Sequence, residues 1–185
     1  MSILLTVGAV GIGGITSGKS VASAVASTEA LFEEARSIAV SKGTDAFVMV
    51  CVDDPSNSST YLRRIVIGYY EINPDGTKSQ TLALSSKGLT LPDQTYFSQS
   101  YSFKDQKAAS GTLEQMNLTV SDTVKQSYAG NYMVYQFNSE GICMTPGASF
   151  VIGTGARGLT DKNPRVTGGA KRDFGGFVIW RNGSK

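Results

Sequence analysis

The chain of 185 residues contains no histidine. Histidine is the commonest general base near neutral pH and the commonest nitrogen ligand of zinc. Its absence excludes Ser–His and Cys–His nucleophilic catalysis and every His-ligated zinc site. The sequence therefore predicts none of these catalytic or zinc sites.

Charge is also scarce. Charged residues make up 17% of the chain, and 17 Lys and Arg against 15 Asp and Glu leave a net charge of +2. The basic residues are scattered and form no stripe, so no nucleic-acid partner is expected. The length suits one domain with a protruding segment rather than two full domains.

Cysteine occurs only twice, at Cys51 and Cys143, and no CxxC spacing exists. Zinc ribbons and thioredoxin-like redox chemistry therefore have no support. Two alternatives stay open for this pair. The cysteines are either two buried free thiols or one disulfide, the latter if the folded part lies in an oxidising compartment. A bridge requires Cα atoms within about 7 Å of each other, which sequence alone does not establish.

A helix pattern follows the start of the chain. From Val21 onward, apolar residues recur at steps of three and four, which is typical of an amphipathic helix. Lys42 suits the negative end of the helix dipole, and Gly43 tolerates the left-handed conformation that ends helices. We therefore expect an amphipathic half-helix over residues 20–42. The face expected to pack on a sheet consists of Val21, Val25, Leu31, Phe32, Ala35, Ile38 and Ala39.

An apolar run precedes this helix and passes into it without a break. Residues 1–16 carry no charge, yet they are fewer than the roughly 20 apolar residues that cross a bilayer core as a helix. We expect an apolar helix segment over residues 1–19 and a globular domain over 20–185, β-rich from 45 onward. The apolar residues of the run are Ile3, Leu4, Leu5, Val7, Val10, Ile12 and Ile15.

The segment GGITSGKS matches the phosphate-binding loop pattern G-x-x-x-x-G-K-[ST]. In such a site the backbone around Gly13 and Gly18 would approach phosphate, Lys19 would hold its oxygens and Ser20 would face a metal ion. Such enzymes need a parallel sheet with helices on both faces, and no second amphipathic stretch of comparable length follows. A nucleotide kinase with this loop therefore stands as the alternative function.

Beyond Gly43 the sequence reads as strands separated by turns. Pro74 and Gly76 mark one clear turn, and the region 104–130 is open between helix and strand. The Gly-rich connection 157–173 is expected to be an exposed loop. The predicted strands are 46–53, 61–72, 81–84, 89–92, 95–103, 132–137, 142–144, 149–157 and 174–184.

The order of these motifs resembles the type IV pilin-like proteins, especially the H-type minor pseudopilins of type II secretion and the FimT-like minor pilins. The helix end carries the recurrent A-R-x-x-A motif as Ala35, Arg36 and Ala39. RRIVIGYYEINPDG is similar to the second strand and turn of the family. YMVYQFNSEGICMTPGASFVIG and GGFVIWRNGS are similar to its closing strands.

This resemblance implies an α+β fold, in which a long N-terminal helix, apolar and then amphipathic, packs on antiparallel sheet. It implies a structural subunit of a type IV pilus or a type II secretion pseudopilus that is not an enzyme and has no catalytic residue, metal ligand or cofactor. Its implied partners are other pilin or pseudopilin subunits, the inner-membrane assembly machinery and the membrane itself. It further implies that residues 1–19 hold the subunit in the bacterial inner membrane, with the globular domain periplasmic or extracellular, and later lie in the filament core.

One part of the family pattern is missing. The prepilin signal consists of a basic leader, a glycine before the cut and a Phe-Thr-Leu-Ile-Glu-like start, and none of these is present. MSILLTVGAVGIGGI is similar to the second half of the family's apolar helix. We therefore expect Met1 to be an internal methionine about eight to ten residues after the true start, so cleavage and methylation fall on no residue present.

Overall fold

The computed structural model describes the backbone of residues 2–119, 127–165 and 173–185, and the side chains from Ser20 onward. Within these ranges the chain forms one helix followed only by strands. The elements are α1 (Ser2–Lys42), β1 (Ala46–Cys51), β2 (Arg64–Ile72), β3 (Lys78–Leu84), β4 (Leu89–Thr90), β5 (Thr95–Phe97), β6 (Gln115–Leu118), β7 (Gly130–Phe137), β8 (Ser149–Thr154) and β9 (Phe174–Val178).

The strands form two antiparallel sheets. The larger has the order β3-β2-β1-β7-β6, with β4 pairing beside β2, and the smaller has the order β5-β8-β9. Cys143 links the two sheets, since it forms an isolated β-bridge with Phe137 at the end of β7 and its N–H donates to the carbonyl of Arg181 beyond β9 (3.0 Å). Together the sheets curve as a half-barrel.

The helix ends where the sequence predicts. Gly43 has a φ of +63°, a conformation that glycine adopts at little cost. The N–H of Thr44 then donates to the carbonyl of Ala39 at 3.1 Å, which satisfies one of the last helical carbonyls. This turn delivers the chain directly into β1 at Ala46.

The main core lies between the helix and the two sheets, and Phe32 occupies its centre. Its ring meets four aromatic rings edge to face, with centroid separations between 5.1 and 6.2 Å. These rings come from β7, β8 and β9, so one helical side chain contacts both sheets. The four rings belong to Tyr135, Phe137, Phe150 and Phe177.

Strand β1 is buried on both faces, as its unbroken apolar sequence predicts. Ala46, Val48 and Val50 belong to the main core beneath the helix. Phe47 and Met49 point to the opposite face, where a second cluster forms with side chains of β2, β3, β6 and β7. β1 is therefore the strand on which the larger sheet is centred.

The predicted fold class, α+β with a long helix packed on antiparallel sheet, is wrong. Only the short helical segment from Ser20 to Lys42 supplies described side chains to the sheets, and the rest of the described chain is mostly antiparallel β in a half-barrel. The physical reason is that the core closes between two sheets, with the helix filling the gap at Phe32 rather than lying along one sheet.

Several strand predictions also need correction. Residues 142–144 form no strand, because Cys143 donates to Arg181 while Met144 donates to Gln136, so the segment divides its bonds between two neighbours. β2 begins only at Arg64, since Leu62 has a φ of +58° that interrupts an extended chain. The region 104–130, left open between helix and strand, contains the strand β6. Residues 120–126 of that region, and residues 166–172 of the predicted loop 157–173, lie outside the described ranges.

We expect Phe32→Ala to lower the free energy of unfolding by about 3–5 kcal/mol, because it leaves a cavity among four rings. Val40→Ala is the matched control on the same helix, since Val40 is 54% exposed and its truncation should change stability by less than about 0.5 kcal/mol. Urea unfolding followed by circular dichroism measures both. Equal effects of the two variants would contradict the central position of Phe32.

Candidate assembly surface

The predicted packed face of the helix lies against the sheets. Its residues are buried or half-buried, all except Val21 in the main core, and Thr28 is buried with them. The Thr28 hydroxyl donates to the carbonyl of Ala24 at 2.8 Å, which satisfies a polar group that would otherwise be costly to bury. The buried predicted residues are Val21, Phe32, Ala35 and Ala39, and the half-buried ones are Val25, Leu31 and Ile38.

The opposite face of the helix is exposed and is built from small residues over the first half of the amphipathic segment. Lys19 lies one helical turn before Ala22, Glu29 is half-buried at the edge of this face, and exposed charges follow at Glu33 and Glu34. Small side chains let a second helix approach closely. The exposed small residues, which we call the small-residue face, are Ala22, Ser23, Ala26, Ser27 and Ala30.

Arg36 fixes the last turns of the helix to two loops. Its Nε donates to the carbonyl of Gly141 at 3.2 Å, and its stem lies against Gly183. Gly183 has a φ of +78°, and a Cβ built there would stand 2.8 Å from Arg36 Cδ. The A-R-x-x-A motif thus places two fully buried alanines, Ala35 and Ala39, around an arginine that clamps both loops.

Lys185 makes a second attachment to the helix. Its Nζ donates to the carbonyl of Glu29 at 2.8 Å and forms an ion pair with Glu33 at 3.1 Å. The side chain is only 11% exposed, so this contact is shielded better than an ordinary surface pair. Sequence reasoning missed Lys185, because no local pattern connects it with residues of a helix so distant in the chain.

The segment GGITSGKS lies inside α1, and residues 13–20 have helical backbone. Within a helix each backbone N–H already donates to a carbonyl four residues earlier, so it is not free to cradle phosphate. The Ser20 hydroxyl lies 3.3 Å from that of Thr95 rather than in a loop, and the surrounding sheets are antiparallel. The loop geometry that Gly13, Gly18 and Lys19 would need is therefore not formed.

The apolar residues of the run 1–19 lie in the helical backbone of α1. No helix within the described ranges is long and apolar enough to cross a membrane. This finding contradicts the expected transmembrane helix and the inner-membrane location. The uncharged residues 1–16 are fewer than the roughly 20 apolar residues that cross a bilayer core as a helix.

Cys51 and Cys143 are two free, buried thiols rather than the alternative disulfide. Cys51 lies in the second cluster, whereas Cys143 lies in the main core under the helix. The larger sheet therefore separates them. Burial raises the pKa of both thiols above its ordinary value.

The carboxylates at two turns serve the turns in which they lie. Asp54 accepts bonds from Ser56, and Asp75 accepts bonds from Thr77, and these bonds lower the pKa of both carboxyl groups. Among the residues that the structure describes, no three His, Cys, Asp or Glu side chains come together as metal ligands.

Comparison with models of protein families, with curated proteins and with solved structures gives no match. Membership of the pilin-like family therefore stays a prediction from the residues. The features of the described chain that bear on function are the small-residue face of the helix and the contacts of Arg36 and Lys185 that fix the helix to the domain.

We expect Gly183→Ala to destabilise the protein by about 2–3 kcal/mol, since it adds a left-handed alanine and a clash with Arg36. Gly76→Ala is the matched control, because Gly76 has a φ of +82° with no atom near its Cβ position, and it should cost only about 1 kcal/mol. Adding Arg36→Ala to Gly183→Ala should recover part of the loss in thermal unfolding. If both glycine variants lose the same stability, the clamp does not exist as described.

We expect neither thiol to react with a disulfide reagent in the folded protein near pH 8, because both are buried and their pKa is raised. A raised folded pKa means that the folded state holds its thiol protons more tightly. Its stabilising effect is thus complete below the unfolded thiol pKa and is lost as the pH rises through the folded pKa. After denaturation, both thiols should react. Unreactive sulfurs in the denatured, unreduced chain would instead show a disulfide.

Proposed function

We propose that this protein is a non-enzymatic structural subunit of a filament of the pilus or pseudopilus kind, in which α1 packs against α1 of other subunits. The observation that carries the proposal is the small-residue face of α1, which lies opposite the face that packs on the sheets. The uncharged run upstream belongs to the same helix.

The composition of this helix favours contacts between helices. Ala22, Ala26 and Ala30 recur every four residues and form one exposed row, along which a neighbouring backbone can approach within the short distances of small-residue packing. The run before Ser20 has no charge until Lys19 and gains free energy when its apolar residues leave water. Other subunits with the same kind of helix are the partners that suit this surface.

The attachment of the helix to the domain supports the same role. Phe32 packs the helix against both sheets. Arg36 holds its last turns to the loops near Gly141 and Gly183, and Lys185 binds the carbonyl of Glu29. A filament subunit needs such a connection, because force and orientation pass from the helix to the domain.

Engineered cysteines test this arrangement, because both natural thiols are buried and do not compete. Ala26→Cys and Ala30→Cys, each in the full chain expressed in its native cells, should give covalent dimers after mild oxidation. Gln80→Cys is the matched control, since Gln80 is exposed on β3 away from the helix. Gel electrophoresis without reductant measures the dimers.

Dimers from both helix variants but not from Gln80→Cys are the expected result. Absence of any dimer at Ala26 and Ala30, in a protein that is present and folded, would refute packing of α1 against other copies. Dimers from all three variants in equal amount would show only random collision and would equally refute it.

A further inference from the structure

Arg157 has hydrogen-bond donors that nothing in the described structure uses. Its Nε and Nη2 are shielded from solvent and have no hydrogen-bond partner among the described residues. A dehydrated charged donor without a partner is costly, so such groups in a native protein call for an explanation. No local pattern marks Arg157, which lies where the predicted strand 149–157 meets the Gly-rich connection 157–173.

The other parts of this guanidinium are firmly held. Nη1 donates to the carbonyl of Asp161 at 2.7 Å, and the guanidinium carbon lies 4.9 Å from the ring centroid of Tyr61. Tyr61 is itself buried, and its hydroxyl donates to the carbonyl of Lys162. The guanidinium is therefore oriented, and the edge formed by Nε and Nη2 is the part without a partner in the described chain.

That edge has a specific chemistry. The N–H groups on Nε and Nη2 are parallel, because the guanidinium is planar, and their spacing matches the two oxygens of a carboxylate. Arg63 shows what this edge does when it is satisfied in the same protein. Its Nε and Nη2 both donate to the carbonyl of Leu91, and Nη2 also donates to Asp93 at 2.7 Å.

The carboxylates nearest to Arg157 are already engaged. Asp161 accepts from Arg165 Nη2 at 2.7 Å and from the N–H of Gly158 at 3.1 Å. Asp54 feels the positive charge of Arg157, but its oxygens accept from the N–H and hydroxyl of Ser56. Neither supplies the pair of oxygens that the Nε–Nη2 edge of Arg157 would bind.

We infer that the Nε–Nη2 edge of Arg157 is a binding site for a carboxylate group that a ligand brings to the protein. The site stands apart from the helix surface described above and does not depend on the proposed function. A carboxylate would form two charge-assisted bonds there and neutralise a shielded positive charge. Tyr61 would hold the guanidinium in the plane that these bonds require.

Nε and Nη2 are shielded, so a carboxylate reaches them only through a local opening that uncovers this edge while Arg157 keeps its contacts with the Tyr61 ring and the carbonyl of Asp161. Because only the open form binds, the apparent affinity is reduced by the fraction of molecules that are open. Binding should therefore be weak but specific for the shape of a carboxylate.

The first test is thermal unfolding of the full chain. Arg157→Met removes an unpaired, shielded charge while keeping the stem, so Tm should rise by about 2–4 °C. Arg63→Met is the matched control and should lower Tm, because every nitrogen of the Arg63 guanidinium has a partner. A fall in Tm for Arg157→Met as large as that for Arg63→Met would overturn the inference.

The second test adds the ligand chemistry itself. Sodium acetate at about 100 mM should raise the Tm of the natural chain by about 2–4 °C relative to the same concentration of sodium chloride. It should also shift the Arg157 Nε–H signal in nitrogen NMR. Arg157→Lys keeps the charge but lacks the parallel donors, so its Tm should not respond to acetate.

The blocked amino acid N-acetyl-glutamate amide distinguishes the source of the carboxylate. A response to it without one to acetate indicates a carboxylate carried on a peptide, whereas a response to acetate shows that a small free carboxylate suffices. No response to either probe would overturn the inference. A response that appears only in Asp54→Asn would also overturn it, since the chain's own carboxylate would then be the natural occupant of the edge.

Discussion

The packing of one phenylalanine from the helix against aromatic rings of both sheets is the interaction on which the rest of the fold depends. Phe32 meets Tyr135 and Phe137 on the larger sheet and Phe150 and Phe177 on the smaller. Edge-to-face pairs of this kind add to the free energy of burial. Because this one ring contacts strands of both sheets, the helix is the element that closes the core between them.

Two polar attachments orient the helix that this core holds. Arg36 joins the last turns of the helix to the loops at Gly141 and Gly183. Lys185, at the other end of the described chain, donates to the carbonyl of Glu29 in the middle of the helix. Tyr135 adds a buried bond from its hydroxyl to the carbonyl of Ser149 at 2.7 Å, between β7 and β8. With the packed face fixed in this way, the small-residue face of the helix has one orientation relative to the sheets, as the proposed packing between subunits would require.

Two largely shielded arginines, Arg63 and Arg157, differ in whether their guanidinium donors have hydrogen-bond partners. Arg63 is satisfied by neighbouring carbonyls and a carboxylate, and it closes the turn before β2. Arg157 is oriented by Tyr61 and Asp161, yet its parallel donors have no partner in the described chain. Unpaired shielded donors of this kind are costly to fold, so Arg157 calls for an explanation that Arg63 does not need.

The sequence by itself determined the local elements: the helical pattern from Val21 to Ala39, its end at Gly43, the buried strand β1 and the turn at Gly76. These follow from side-chain periodicity and backbone preference within a few residues. Only the tertiary structure decided the division into two sheets, the separation of Cys51 from Cys143, the clamp at Arg36 and the unpaired edge of Arg157. Each of these depends on which distant segments meet, and that is set by how the whole core closes around Phe32 rather than by any local pattern.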